Sequence, residues 1–410
     1  MSSVVANRFS AAGSAVGYLA QVEYALVIAL ERMDREESLQ LSLETIDDIT
    51  FEDPLGSARE LWQTKHHVNR HGTLGDASPD LWKTLHNWIE SADDGSACFL
   101  FTTVTAADGT AAALLRPGRA EADVAAAREK LEAVALAAGN ASLKDYYARY
   151  LGLTERQRTE LLARVTVLDS QATGEDITGR LVATVRKAVI YKRRLPLVER
   201  LRGWWHARTM THLTRIAEGE HDCIAMEEIE AQLLDIAQSL RDDALPLDYS
   251  ATEEPTLEQV KADDRVFVEQ LNLIMLHHER IRQAVYDHNR AFLQRSRWQR
   301  EQLVGIGELD AYDRRLIEEW KRVFLPLEEP TAGDEPVDDE KCRSARKLYA
   351  RIQERALPEI RSEVRSGYIP LGSLHVLADR LQIGWHPDWV ELLKHRLNDL
   401  QTPAGAQGAA

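Results

Sequence analysis

The sequence is poor in cysteine. It has three in 410 residues, Cys98, Cys223 and Cys342, far apart and without a CxxC pair, which excludes a disulfide framework and gives no thiolate zinc site. It has no GxxxxGK[ST] loop, and the early "GSAVG" lacks the lysine of a P-loop, so ATP hydrolysis would fall to another chain. No GxSxG elbow is present, which sets aside a serine hydrolase of that type. Long apolar runs are missing too: "YALVIAL" is far too short to span a bilayer, and the start shows no charged-then-apolar leader. A reduced, cytoplasmic protein is the expectation. Positive charge is also in short supply. The formal net charge is −16, the sum of −5 over residues 1–200 (23 Lys+Arg against 28 Asp+Glu) and −11 over the remainder (27 against 38). A simple basic DNA-coating protein is thereby excluded, but an enzyme that reaches DNA through a local patch or after assembly is not.

At this length two domains are expected. Residues 14–33 repeat apolar positions at helical spacing, whereas "LQLSLETIDDITF", 39–51, alternates as one strand. "DPLGS" turns the chain and "ARELWQTKHHV" reads as the next strand. "SPDLWKTLHNWIES" reads as a helix capped by Ser78 with Pro79 at its first position, and "ACFLFTTVT" as a buried strand. Alanine-rich helix follows to about residue 163, then a strand-like "ARVTVLDS" and a helix "DITGRLVATVRKAVIYKRR". Strand signals stop beyond about residue 200, where Trp204 and Trp205 mark the expected start of a second, all-helical domain, 201–400, with 401–410 a disordered tail. In that half "LEQVKADDRVFVEQLNLIMLHHERIRQAVYDHNRAFLQRSRWQREQLV" reads as one or two long helices with Val266, Ile274, Ile281, Val285 and Phe292 on one stripe.

Chemistry concentrates between residues 43 and 67. Phosphodiester hydrolysis needs carboxylates to hold one or two divalent metals and a cation near the attacked phosphorus. On a continuous strand Glu44 and Asp48, four apart, share a face, and so do Gln63 and Lys65 on the next strand. Gln63 offers a side-chain oxygen to a metal and Lys65 orients water and offsets charge. The preceding helix adds Gln21 or Glu23 as accessories. Alternation favours Asp48 over its rival Asp47, and a β-bulge would reverse that choice. The alternative is a charged, solvated hairpin with no chemistry. His66, His67 and His71 read as solvated loop positions, and His277, His278 and His288 as structural, since no pair has the i,i+4 spacing of a helical zinc site. Lys192, Arg193 and Arg194 are a weak candidate for tracking a phosphate backbone, set against a helix C-terminus favoured by its dipole.

The order helix, "E..DD", "QxK" resembles the restriction-endonuclease-like PD-(D/E)xK fold in its glutamine variant. "GYLAQVEYAL", "ETIDDI", "LWQTKHH" and "DASPDLWKTLHNW" together look like the double-stranded DNA endonuclease domain of anti-phage effectors. "HNRAFLQRSRWQREQLVGIGELDAYDRRLIEEW" is similar to the helical C-terminal region of ABC-three-component defence proteins, and the pairing resembles the effector nuclease of Lamassu-type systems. The resemblance implies an endonuclease dependent on Mg²⁺ or Mn²⁺. An SMC-like ABC ATPase and a small middle subunit would restrain it, and release and self-assembly into a homo-oligomer, a tetramer, would activate it. It implies Asp48 and Gln63 as metal ligands, Glu44 as a further ligand and Lys65 as the catalytic lysine. A catalytically silent adaptor that binds DNA or protein and docks onto an ATPase is the alternative from another class.

Overall fold

The computed structural model describes residues 12–33, 38–66, 73–93, 95–171, 174–328 and 338–396. His67, His71 and the tail 401–410 lie outside them. The chain divides into two compact units, 1–237 and 238–410. The division falls in the last turn of a helix well beyond the expected boundary near residue 200.

The first unit begins with α1 (Ala12–Arg32), β1 (Gln40–Leu43), β2 (Ile49–Glu52), β3 (Ala58–Lys65), β4 (Thr73–Leu74), α2 (Pro79–Ser91), β5 (Ala97–Thr102) and β6 (Thr105–Ala106). It continues through α3 (Ala111–Leu114), α4 (Glu121–Ala137), α5 (Lys144–Leu151), α6 (Glu155–Arg164), β7 (Val165–Leu168), α7 (Gly174–Thr184), α8 (Arg194–Ala217), β8 (Ile224–Ala225) and α9 (Met226–Ser239). Six strands form one mixed sheet in the order β7-β5-β3-β2-β1-β8. The hairpin strands β1, β2 and β3 are antiparallel, and α2 is the crossover that makes β5 parallel to β3.

The expected single strand over 39–51 is instead two strands joined by a bend at 44–48. Glu44 takes a left-handed φ of 55° and closes the bend by donating its N–H to Asp48 O at 3.3 Å. Alternation along a strand therefore does not govern where the acidic side chains point.

One face of the sheet packs on α2 and the α4–α6 bundle through Leu61, Leu100, Val165, Trp82 and Trp88. The other face carries α1, α7 and α8. There Trp62 stacks on Phe99 with ring centroids 4.2 Å apart, and the Arg32 guanidinium lies over the indole.

The helix α8 belongs to this unit. Trp205 is fully buried and donates its indole N–H to Val22 O at 2.8 Å, and the buried His212 meets the backbone of Leu43. These two tertiary ties, and the pairing of β8 with β1, are why the unit extends past the residues expected to open the second domain.

The second unit holds α10 (Leu257–Lys261), α11 (Val266–Leu273), α12 (His278–Arg300), α13 (Glu308–Glu328), α14 (Asp338–Glu354), α15 (Tyr368–Asp379) and α16 (Trp389–Leu392). Its described residues form no strand, as expected of an all-helical half, but the long helix expected from residue 257 is broken into α10, α11 and α12. His277 caps α12 by accepting from Glu279 N–H, and buried His288 stacks against Phe267, so two of the helical histidines are structural. Phe292 leaves the expected apolar stripe and is 48% exposed.

The helices α12 and α15 meet at Gly372. A Cβ there would lie 2.1 Å from Asp287 O and 2.6 Å from Ala291 Cβ, both on α12. Alanine ordinarily favours a helix over glycine by about 1 kcal/mol. At this crossing Gly372→Ala is expected to destabilise the second unit by roughly 3 kcal/mol, because the obstacle is backbone and cannot rotate away. Urea unfolding of the full chain measures it, and an unchanged or raised midpoint would show that the crossing relaxes at little cost.

Candidate active site

The site lies at the end of the β2–β3 hairpin, where the bend 44–48 meets the Gln63-Thr64-Lys65 end of β3. Asp48 is tied to the middle residue of that triplet. Its Oδ2 accepts from Thr64 N–H at 2.7 Å and from the Thr64 hydroxyl at 2.9 Å. These two bonds to one oxygen hold Asp48 against Thr64, between Gln63 and Lys65 in the chain.

Asp47 turns toward α2. It is 9% exposed, and its Oδ2 accepts the indole N–H of buried Trp88 at 2.7 Å while its Oδ1 accepts from Asp48 N–H at 2.9 Å. Burial pushes its carboxyl up to about 6, and the neighbouring Asp48 charge adds to this. The Trp88 and Asp48 hydrogen bonds and the nearby Lys65 ammonium oppose it. A carboxylate held this far out of water, next to another, is a place where a cation is favoured.

Gln63 is 4% exposed, and Asn87 of α2 donates to its Oε1 at 3.1 Å. Lys65 is partly exposed, and among the described residues its ammonium closes no ion pair.

Glu44 is placed differently from the expectation. It is exposed at the start of the bend, and its Oε1 accepts from Gln21 of α1 at 2.7 Å. The same Gln21 amide donates to Asp48 O at 3.1 Å, so Gln21 staples both ends of the bend to α1. Glu23, the other accessory candidate, faces α8 and pairs with Arg202 at 2.7 Å and His206 at 3.0 Å, away from the cluster. Strand alternation was the ground for preferring Asp48 to Asp47, and the bend removes it: both converge on the triplet.

The basic run also differs from its reading as a helix C-terminus. Residues 191–193 form a short turn and Arg194 opens α8, at the helix end where the dipole disfavours cations. Arg193 is buried and Arg194 lies over the Tyr191 ring, which leaves Lys192 as the exposed cation of the run.

Thr64, Asn87 and Trp88 are parts of the site that had no role assigned from sequence. A signal existed for Trp88: a tryptophan on the buried face of an amphipathic helix needs an acceptor for its N–H, and Asp47 is that acceptor.

The donors are hard oxygens, two carboxylates and a carboxamide, which suit Mg²⁺ or Mn²⁺ rather than a soft metal. Among the described residues no group of three His, Cys, Asp or Glu side chains could hold a metal, so Gln63 and water or substrate would have to complete any coordination here. The chain thus joins an α/β unit with an acidic QxK site to a helical unit. Residues 267–393, within that helical unit, match the family model described as C-terminal domain 7 of the ABC-three component (ABC-3C) systems. No curated protein matches the chain. No helix among the described residues is long and apolar enough to cross a membrane.

Proposed function

We propose that this chain is the effector of an ABC-three-component anti-phage defence system: a metal-dependent endonuclease of the PD-(D/E)xK type that hydrolyses double-stranded DNA. The observation that carries the reading is the meeting of Asp47 and Asp48 with the Gln63-x-Lys65 end of β3. The match of residues 267–393 supports the assignment to such a system and the role of the second unit in docking an SMC-like ABC ATPase and a small middle subunit.

Asp47, Asp48 and Gln63 would hold Mg²⁺ or Mn²⁺, which when bound neutralises phosphate charge and lowers the pKa of an attacking water. Thr64 fixes Asp48, Trp88 fixes Asp47 and Asn87 fixes Gln63, so the oxygen donors are oriented before substrate arrives. Lys65, with no ion pair among the described residues, offsets the negative charge that develops on the phosphate oxygens. Glu44 and Gln21 set the bend rather than bind the ion. Release from the partners and assembly into a homo-oligomer, a tetramer, would supply the control.

The reading is tested by incubating the full chain, alone and with its partners and DNA ends, with supercoiled plasmid. Nicked and linear products are expected with Mg²⁺ or Mn²⁺ and none with EDTA. Intact plasmid in every condition would overturn the nuclease and favour an adaptor.

A further inference from the structure

The second unit carries a groove between α12 and α15 that no part of the nuclease reading uses. Its larger end is a pocket of about 410 Å³, a size that takes a bulky side chain with room around it. The floor is apolar: Phe292, 48% exposed, Leu293, 42% exposed, and Val376. Phe292 ends a column of near-parallel rings, with His288 6.0 Å from it and Phe267 4.6 Å from His288, so its open face is held rigidly. Burial pushes the His288 imidazole down to about 4, and the Arg265 charge helps, so that ring is a neutral wall of the pocket.

The smaller end, about 60 Å³, shares Phe292, Val376 and Arg380 with the larger one. Here Arg295 and Asp313 form an ion pair at 2.7 Å through Nη2 and Oδ2, and they are 6% and 7% exposed. Two further atoms of this pair are orphans: Arg295 Nη1 and Asp313 Oδ1 are buried without a hydrogen-bond partner. Leaving a charged donor and a charged acceptor unpaired is costly. A donor and an acceptor side by side are complementary to one chemical group, an amide, whose C=O accepts from the guanidinium and whose N–H donates to the carboxylate. Between the two ends stands Arg380, exposed and without an ion pair among the described residues.

We propose that this groove is the seat of a peptide segment of a protein partner. The segment places an apolar side chain on Phe292, Leu293 and Val376, sets a carboxamide or main-chain amide against Arg295 and Asp313, and directs a carboxylate to Arg380. The proposal rests on the reading of the second unit as the docking unit and names the chemistry it selects. An apolar residue flanked by an amide and an acid matches all three features at once, which neither a bare anion nor a purely apolar surface does.

Two measurements test it on the full chain. In ligand-observed NMR, the N-acetylated dipeptide amide Phe-Asp, which carries the ring, the amides and a carboxylate, is expected to bind, with Phe292→Ser and Arg380→Ala each weakening it; both positions are exposed, and a thermal melt of each variant checks that the fold holds. No binding, equal binding by the variants, or preferential binding of AMP at the same residues would overturn the peptide assignment. Co-purification with the co-expressed ATPase and middle subunits is expected to fall at least ~10-fold in the double variant Phe292→Ser/Arg380→Ala. If the parent complex forms and the double variant keeps it, the groove proposal fails and the docking reading stands. If the parent forms no complex while the amide probe binds, the docking reading is the one that fails.

Discussion

Asp47→Asn is expected to stabilise the metal-free first unit while removing most of its cleavage activity. The Asp47 carboxyl is pushed from the ordinary 3.8 up to about 6 by burial, so above pH 6 the folded chain holds a desolvated charge that the unfolded chain does not. The sign follows from proton binding. With a raised folded pKa, the folded state binds more protons between about pH 4 and 6, and stability present below the unfolded value is lost as pH rises through 6. The penalty is roughly 3 kcal/mol at pH 7.5. Asparagine removes it, at the loss of the hydrogen bond from Asp48 N–H to Oδ1, about 1 kcal/mol. A net gain of about 1–3 kcal/mol at pH 7.5, shrinking toward pH 4, is therefore expected in urea unfolding with EDTA present. A variant no more stable than the parent at pH 7.5, or a gain that persists unchanged at pH 4, would contradict it. A functional carboxylate held at a cost to the fold is the expected signature of a site rather than of a decorated hairpin.

Lys65→Ala is expected to lower single-turnover cleavage by about 100-fold or more, the usual loss when one preorganised charge at a developing oxyanion is removed. DNA affinity should change little, because a single exposed cation contributes a small part of backbone binding. The fold should hold as well, since Lys65 closes no described ion pair and its backbone bonds in β3 and to Thr103 N–H do not involve the side chain. Fluorescence anisotropy with labelled duplex and a thermal melt accompany the rate measurement. A matching collapse of binding or melting temperature would make the lysine structural.

Much of this was legible in the sequence because the determinants are local. The QxK strand, the proline-started α2 and the apolar β5 announce themselves through periodicity and composition. What was not legible depended on distant partners. The run 39–51 alternates like a strand, yet Gln21 of α1 and the Trp88 indole pull Glu44, Asp48 and Asp47 in different directions and bend it. The unit boundary was missed because a tryptophan pair after the last obvious strand signals a core without saying which core. Trp205 anchors to α1, and the two residues of β8 are too few for any period to show. In the helical half, Phe292 has the spacing of a core residue, yet it is 48% exposed and lines an open pocket with Leu293 and Val376.

The most direct test of the central claim is a single-turnover assay of phosphodiester hydrolysis in duplex DNA, with the parent chain and Lys65→Ala side by side in Mg²⁺ and in EDTA. The account predicts new strand ends from the parent in Mg²⁺ alone, and a rate at least ~100-fold lower from the variant. Equal rates from the two proteins, or breaks that persist in EDTA, would contradict it.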